Sequence, residues 1–187
     1  MPVYRLLSVA EYFKGMSITL TMNILVFSDS HNYYNRMAKI VKSHIDSINY
    51  IIHLGDLVHD AKKLKADFES PAVKVEYVYG NCDFSPNRND YVKELVICEK
   101  RFFILHGHTR SIQISSAPLK NLAEQKKYDV VLYGHTHIPK EDYHNGTFII
   151  NPGSIELPRD GGNPSYAMIN ISDKDGKIQT DIRRCNL

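Results

Sequence analysis

Five clusters of Asp, Asn and His in this chain each stand at the end of an apolar run, and their side chains are of the types that hold divalent metal ions. The runs read NILVFSDSH, YIIHLGD, VEYVYGNCD, RFFILHGH and VVLYGHTH; a sixth, TFIINPGS, ends in a tight turn, Asn151-Pro152-Gly153-Ser154. They deliver Asp29 and His31, then Asp56, Asn81, His106 with His108, and finally His135 and His137. In open α/β sheets ligands gather outside the carboxyl ends of strands, so a buried strand followed at once by Asp or His marks a site. A mixture of carboxylate, amide oxygen and imidazole suits borderline-hard ions such as manganese, iron or zinc better than thiolate-loving ones. Asp29, His31, Asp56, Asn81, His106, His135 and His137 are too many ligands for one catalytic ion that keeps an open position. With Asp56 shared, two ions have four protein ligands each. In Asp29-Ser30-His31 and His135-Thr136-His137 an extended backbone would turn alternate side chains to one side.

The elements that must position these groups can be read from periodicity. Strands are expected at about 23–28, 49–54 and 73–79, with a helix after Asn32 as its N-cap and a shorter one around 61–68. That βαβαβ order, with nearly continuous apolar strands, implies a parallel sheet covered on its faces. The second half is richer in strands, at 91–98, 101–105 and 129–133, with a helix over 117–126 that has Ser116 as its cap and Pro118 in its first turn. Hairpins are expected around Asn145-Gly146, joining 138–143 to 147–150, and around Asp175-Gly176, joining 165–171 to 177–183. The fold class is therefore α/β, with two mixed β-sheets packed together and flanked by helices in an αββα sandwich. No repeat, low-complexity stretch or interdomain linker interrupts residues 22–187, which read as one domain. Residues 1–21 read as an N-terminal extension of no evident function.

In their order the motifs resemble those of the calcineurin-like metallophosphoesterases, whose signature runs DxH, GD, GN-x-D/E, GH or HGH, and GHxH. The likeness is closer to the small, single-domain YfcE-type phosphodiesterases. It continues through Asn151-Pro152-Gly153-Ser154, Leu157-Pro158-Arg159 and Gly161-Gly162-Asn163-Pro164-Ser165-Tyr166. The resemblance implies one ion on Asp29, His31, Asp56 and His137 and a second on Asp56, Asn81, His106 and His135. Manganese is the expected metal, with zinc, iron, nickel and cobalt as alternatives. It implies hydrolysis of a small phosphodiester by a hydroxide shared between the ions. Asn81 and His108 are the expected substrate contacts, and His108 is the one side chain put forward for a catalytic role besides the ions. Cys82 stands where larger family members carry histidine. The second block reads Gly55-Asp56-Leu57-Val58-His59-Asp60 and lacks the arginine of the protein phosphatases. A phosphomonoesterase, a nuclease and a scaffold like the retromer subunit of this fold are the competing readings.

Size and charge narrow these. The chain has 187 residues, 43% apolar and 24% charged, with 23 basic against 21 acidic residues and a net charge of +2. It shows no basic track for a long nucleic acid and no apolar run of the roughly 20 residues that span a bilayer. Three widely spaced cysteines, Cys82, Cys98 and Cys185, form no disulfide framework, which suits a reducing cytoplasm. Self-association into a homo-oligomer is expected from the resemblance. Cys82 is expected to be a small buried neighbour of the site, Cys98 and Cys185 to be structural, and Asp83 to orient its loop. His53 and His59 fit no ligand position; His44 is placed at the edge of the first helix's apolar face and His144 in a turn.

Overall fold

The alternation of side chains along the central strands divides the apolar residues among three cores. A computed structural model describes residues 21–110 and 116–185. Their strands are β1 (Thr21–Phe27), β2 (Tyr50–His53), β3 (Lys74–Tyr77), β4 (Val92–Ile97), β5 (Lys100–Leu105), β6 (Val130–Tyr133), β7 (Lys140–His144), β8 (Thr147–Asn151), β9 (Ser165–Ser172) and β10 (Ile178–Arg184). The helices are α1 (Tyr34–His44), α2 (Val58–Phe68) and α3 (Ala117–Lys126). One sheet has the order β10-β9-β1-β2-β3 and the other β4-β5-β6-β8-β7.

Ile24 and Val26 of β1 point into a core shared with Phe102 and Ile104 of β5 and Leu132 of β6, so the two sheets pack face to face. Leu25 and Phe27, one residue out of phase, point the other way and meet Met37 and Val41 of α1 and Leu64 of α2. Phe103 and Leu105 do the same for the second sheet, against Leu119 and Ala123 of α3. The result is the αββα arrangement expected.

The six apolar runs are β1, β2, β3, β5, β6 and β8. Within each sheet these three pair in parallel, whereas β4, β7, β9 and β10 pair antiparallel. Backbone bonds then tie the loops beyond their carboxyl ends into one rim, from Asp29 N–H to Gly55 carbonyl (3.1 Å), Gly134 N–H to His106 carbonyl (2.9 Å) and Ile155 N–H to Ser28 carbonyl (3.1 Å).

Several expectations need correction. Asn32 is not an N-cap: its φ is 74°, its N–H donates to Asp60 Oδ2 at 3.0 Å, and α1 starts after Tyr33 with no side-chain cap. Ser116 precedes α3 but its side chain makes no capping bond. The β4–β5 turn is Cys98-Glu99, one residue earlier than expected, with both residues left-handed; Cys98 is exposed there rather than packed. Helix α2 begins at Val58, three residues early, because left-handed Leu57 ends the preceding loop. Thr21 and Met22 already belong to β1, paired with Ser172 and Ile171. The reading of residues 1–21 as an extension otherwise lies outside the described residues.

Candidate metal centre

The rim gathers the seven expected ligands from both sheets. One ligand atom each from Asp29, His31, Asp56 and His137 lies within 4.8 Å of the others. Alongside them, His106 Nε2 is 3.4 Å from Asp56 Oδ1, 3.8 Å from Asp29 Oδ1 and 3.0 Å from Asn81 Oδ1. The His135 ring stands 5.0 Å from that of His106, centroid to centroid. Asp29, Asp56, His106 and His137 are buried, and Asn81 is exposed at the edge of the group.

The backbone that achieves this is not extended. Asp29, His31, Asp56, His135 and His137 have φ of 53°, 43°, 59°, 69° and 59°. Left-handed backbone is disfavoured for side chains with a Cβ, so the convergence of the DxH and GHxH pairs comes from tight loops and not from strand-like alternation. Close approach of the loops also demands glycine. A Cβ on Gly80 would fall 2.1 Å from Asp56 Oδ1, and one on Gly134 would fall 1.9 Å from Ser28 Oγ.

Around the ligands, hydrogen bonds choose which atom of each faces the centre. His106 Nδ1 lies 2.8 Å from the Leu54 carbonyl and His137 Nδ1 2.7 Å from the Leu157 carbonyl. A carbonyl only accepts, so each Nδ1 carries the proton and each neutral ring turns its Nε2 lone pair inward. Asp29 Oδ2 accepts from Ser28 Oγ (2.6 Å) and His135 N–H (3.1 Å), which leaves Oδ1 to the centre. Asp83 takes no ligand position. Its carboxylate accepts from the backbone N–H groups of Asp56, Val58 and Gly80 and so fixes two motif loops together.

The fit to a cation follows from these donors and acceptors. His31 Nε2 is buried with no hydrogen-bond partner among the described residues, and Asp29 Oδ1 lies 3.1 Å from His137 Nε2, another inward lone pair. The inward lone pair of His106 meets oxygens of Asp56, Asn81 and Asp29, so acceptor faces acceptor. Such a cluster needs positive charge in its midst. Burial pushes the Asp29 and Asp56 carboxyls upward, yet the imidazoles of His137 and His106 outweigh it and hold both below the ordinary carboxylate range. Burial likewise lowers His106 and His137, but Asp56 and Asp29 raise them overall. A divalent ion satisfies the same demand without protonating either ring, and the Asp29, His31, Asp56 and His137 group fits such an ion.

His108 is half-buried beside this group. Its ring lies 5.6 Å from His106, 6.2 Å from His135 and 5.7 Å from Tyr91, and its Nδ1 is buried without a hydrogen-bond partner among the described residues. Burial, then the charge of His106, lowers its pKa. Cys82 is exposed rather than buried; its N–H donates to Asp56 Oδ1 at 2.9 Å and its thiol to Oδ2 at 3.4 Å. Burial of the sulfur and the neighbouring Asp56 push that thiol up to about 11, so it is neutral at pH 7. His59 is exposed, whereas His53 is fully buried and sits 3.0 Å from Ser30 Oγ, between the Asp29 and Asp56 loops. His44 closes α1 with its ring against Tyr166, and His144, the last residue of β7, bonds Glu124 at 2.8 Å.

Residue types alone did not reveal two supports. Asn151 Nδ2 donates to the Gly134 carbonyl and to Thr136 Oγ1, both at 2.9 Å, and so shapes the GHxH loop. Ser154 Oγ donates to the Asp29 carbonyl at 2.8 Å and accepts from Leu157 N–H, next to the carbonyl that orients His137. Their one signal in the sequence was position, at the end of a sixth buried strand.

Two packed mixed sheets with carboxylate, amide and imidazole groups gathered at the ends of their parallel strands define a metallohydrolase type of site. Residues 22–174 match the model of the calcineurin-like phosphoesterase superfamily domain, and the chain belongs to that superfamily. It is 33% identical over 153 residues to the probable metallophosphoesterase YsnB of Bacillus subtilis, covering 80% of this chain and 85% of that one. Phosphodiesterase YfcE of Escherichia coli K12 is 27% identical over 168 residues, covering 79% of this chain and 87% of YfcE. Among solved structures, vacuolar protein sorting 29 of Cryptosporidium parvum superposes with a TM-score of 0.65 at 20% identity, over 88% of this chain and 97% of that chain, a likeness of fold.

Proposed function

We propose that this protein is a metal-dependent phosphodiesterase acting on small phosphodiesters. Asp29, His31, Asp56 and His137 would hold one divalent ion and Asp56, Asn81, His106 and His135 a second, with manganese preferred. The observation that carries this reading is the convergence of carboxylate oxygens and imidazole nitrogens from Asp29, His31, Asp56 and His137, with His106 Nε2 3.4 Å from Asp56 Oδ1, in one largely buried cluster. Ions there supply Lewis-acid polarisation of the phosphate and an activated water at neutral pH. The chain's own part is to orient. The Leu54 and Leu157 carbonyls fix the tautomers of His106 and His137, Asp83 locks the Asp56 and Asn81 loops, and Asn81 and His108 face the substrate. Kinship with YfcE supports a diester. So does charge, because a dianionic monoester calls for more fixed positive charge than a monoanionic diester. The free cysteines and the lack, among the described residues, of a helix able to cross a membrane are in keeping with a cytoplasmic enzyme.

The test is a metal-resolved screen. Chelator-stripped protein is reloaded separately with manganese, zinc, iron, nickel or cobalt and assayed on diesters and monoesters with matched leaving groups. Two ions bound per chain and a kcat/KM at least roughly tenfold higher for diesters are expected. Higher kcat/KM for monoesters across the metals would replace this reading with a phosphomonoesterase. No turnover with any metal would favour the scaffold role.

A further inference from the structure

Seven large apolar side chains stand exposed among the described residues, and four of them stand on the loops that carry the ligands or a carbonyl bonded to one: Tyr33 (44% exposed), Phe84 (86%), Ile138 (44%) and Leu157 (49%). Tyr33 follows His31 by two residues and Ile138 follows His137 directly. Leu157 supplies the carbonyl bonded to His137, and Phe84 lies three residues beyond Asn81. Scattered exposed apolar residues need no explanation, but a group shared among the ligand-bearing loops does.

The backbone of Phe84 and the ring of Tyr33 are held before anything binds. Phe84 lies between Asp83, whose carboxylate accepts three backbone N–H groups, and Ser85, whose N–H donates to Tyr91 Oη at 3.1 Å and whose hydroxyl donates to Asp90 at 2.5 Å. Its backbone is thus pinned on both sides while its ring packs on little. The Tyr33 ring is covered on one face by the Arg36 guanidinium at 4.8 Å, and Arg36 is itself held by the Ile155 carbonyl at 2.7 Å. Tyr33, Ile138 and Leu157 belong to the loops that carry or orient His31 and His137, and Phe84 belongs to the loop that carries Asn81. A loop backbone fixed in advance lowers the ordering cost of stacking on its ring.

The geometry points to a substrate-recognition role for this collar: Phe84 forms the stacking surface for a planar aromatic group carried on one ester arm of the phosphodiester. The inference rests on the phosphodiesterase reading and narrows it to diesters with an aromatic arm. The occupant is a substrate arm and not a protein partner, because Phe84 is on the same anchored loop as Asn81. Hydrolysis itself is unchanged: one water is consumed, one P–O bond breaks, and a monoester and an alcohol leave.

Binding can be separated from turnover. Manganese-loaded protein is titrated by calorimetry with monomethyl phenylphosphonate and with monomethyl methylphosphonate, two monoanions that differ by one ring. Thymidine 5′-methylphosphonate tests whether a nucleobase can supply the ring. The phenyl compound is expected to bind about tenfold more tightly than the methyl one. Phe84→Ala should bring the two within about twofold, Phe84→Tyr should keep the preference, and Val96→Ala, an exposed apolar control remote from the motifs in sequence, should leave it intact. No phenyl preference in the unaltered protein, or an equal loss for both compounds in Phe84→Ala, overturns the proposal. Phenyl preference in a protein that hydrolyses no diester would instead refute the phosphodiesterase reading and leave the aromatic subsite standing.

Discussion

Left-handed backbone in the hairpins and at the rim of this molecule arises for different reasons. In the hairpins it belongs to Cys98 and Glu99 between β4 and β5 and to Asn145 and Gly146 between β7 and β8. Two-residue hairpin turns require positive φ, so connectivity alone accounts for these residues, and Asn145-Gly146 is the inexpensive solution. At the rim of parallel strand ends it belongs to Asp29, His31, Asp56, His135 and His137, where glycine would remove the side chain that matters. Non-glycine residues there cost on the order of 1 kcal/mol each or more. Bonds between loops offset the strain, among them Asp29 N–H to Gly55 carbonyl, Asp56 N–H to Asp83 and His135 N–H to Asp29. Turn geometry at the hairpins serves the chain; at the rim the loops are held in shape around a charge.

The sharpest way to break this contrast is to remove the charge the rim shares. Asp56→Asn should reduce phosphoester hydrolysis by roughly 10³-fold and lower the metal content of both positions. The fold should persist, as followed by circular dichroism and elemental analysis. Full activity with unchanged metal content would show that Asp56 is not shared.

Next in size is a single methyl group at the rim. Gly80→Ala places a Cβ 2.1 Å from Asp56 Oδ1 and 2.5 Å from Asp56 N, so the loop has to move. We expect metal affinity to fall by about 10- to 100-fold, the range seen when groups supporting a ligand are disturbed. Calorimetric titration with manganese checks this, and wild-type affinity in Gly80→Ala would mean that the rim yields cheaply.

Beneath the rim, His53 is held neutral by burial, which pulls it down to about 4, with Asp60 opposing most strongly. Its pKa in the unfolded chain is about 6.5, so below that pH the unfolded state binds more protons than the folded one. The stability tied to His53 is complete above about pH 6.5 and is lost as pH falls toward 4, at up to about 1.4 kcal/mol per unit. Urea unfolding of wild type and His53→Gln between pH 7 and 4 should show a flatter acid limb for the variant. Identical slopes would remove His53 as the cause.

Gly146→Ala is the smallest change. The new Cβ meets nothing within 4 Å, and only the φ of 88° opposes it. A loss of about 1 kcal/mol of stability is expected, with metal binding unaltered. A drop in metal affinity as large as that in Gly80→Ala would erase the distinction between the two regions.

Chemical types and strand patterning were legible without coordinates. Apolar runs ending in Asp, Asn or His disclosed the six parallel strands and all seven proposed ligands, because a strand buried on both faces, such as β6, carries no charged residue until it ends, and even edge strand β3 keeps enough apolar residues to be read. Loop conformation was not legible. An extended Asp29-Ser30-His31 was the natural local expectation, and the left-handed path appears only once Gly55 and Ser154 bind the Asp29 backbone. The same holds for Asn32, drawn from capping into the Asp60 contact, and for Asn151, whose amide has no visible purpose until β8 lies beside β6.

The sequence by itself therefore determined which groups this protein offers to a metal and a phosphate, since residue type and hydrophobic period are local properties of the chain. Only the tertiary structure decided which nitrogen or oxygen of each group faces the centre. That choice is made by hydrogen bonds between residues far apart in the chain, such as Leu54 with His106 and Leu157 with His137. No local pattern encodes them, because they come into being when the two sheets pack and their rims meet.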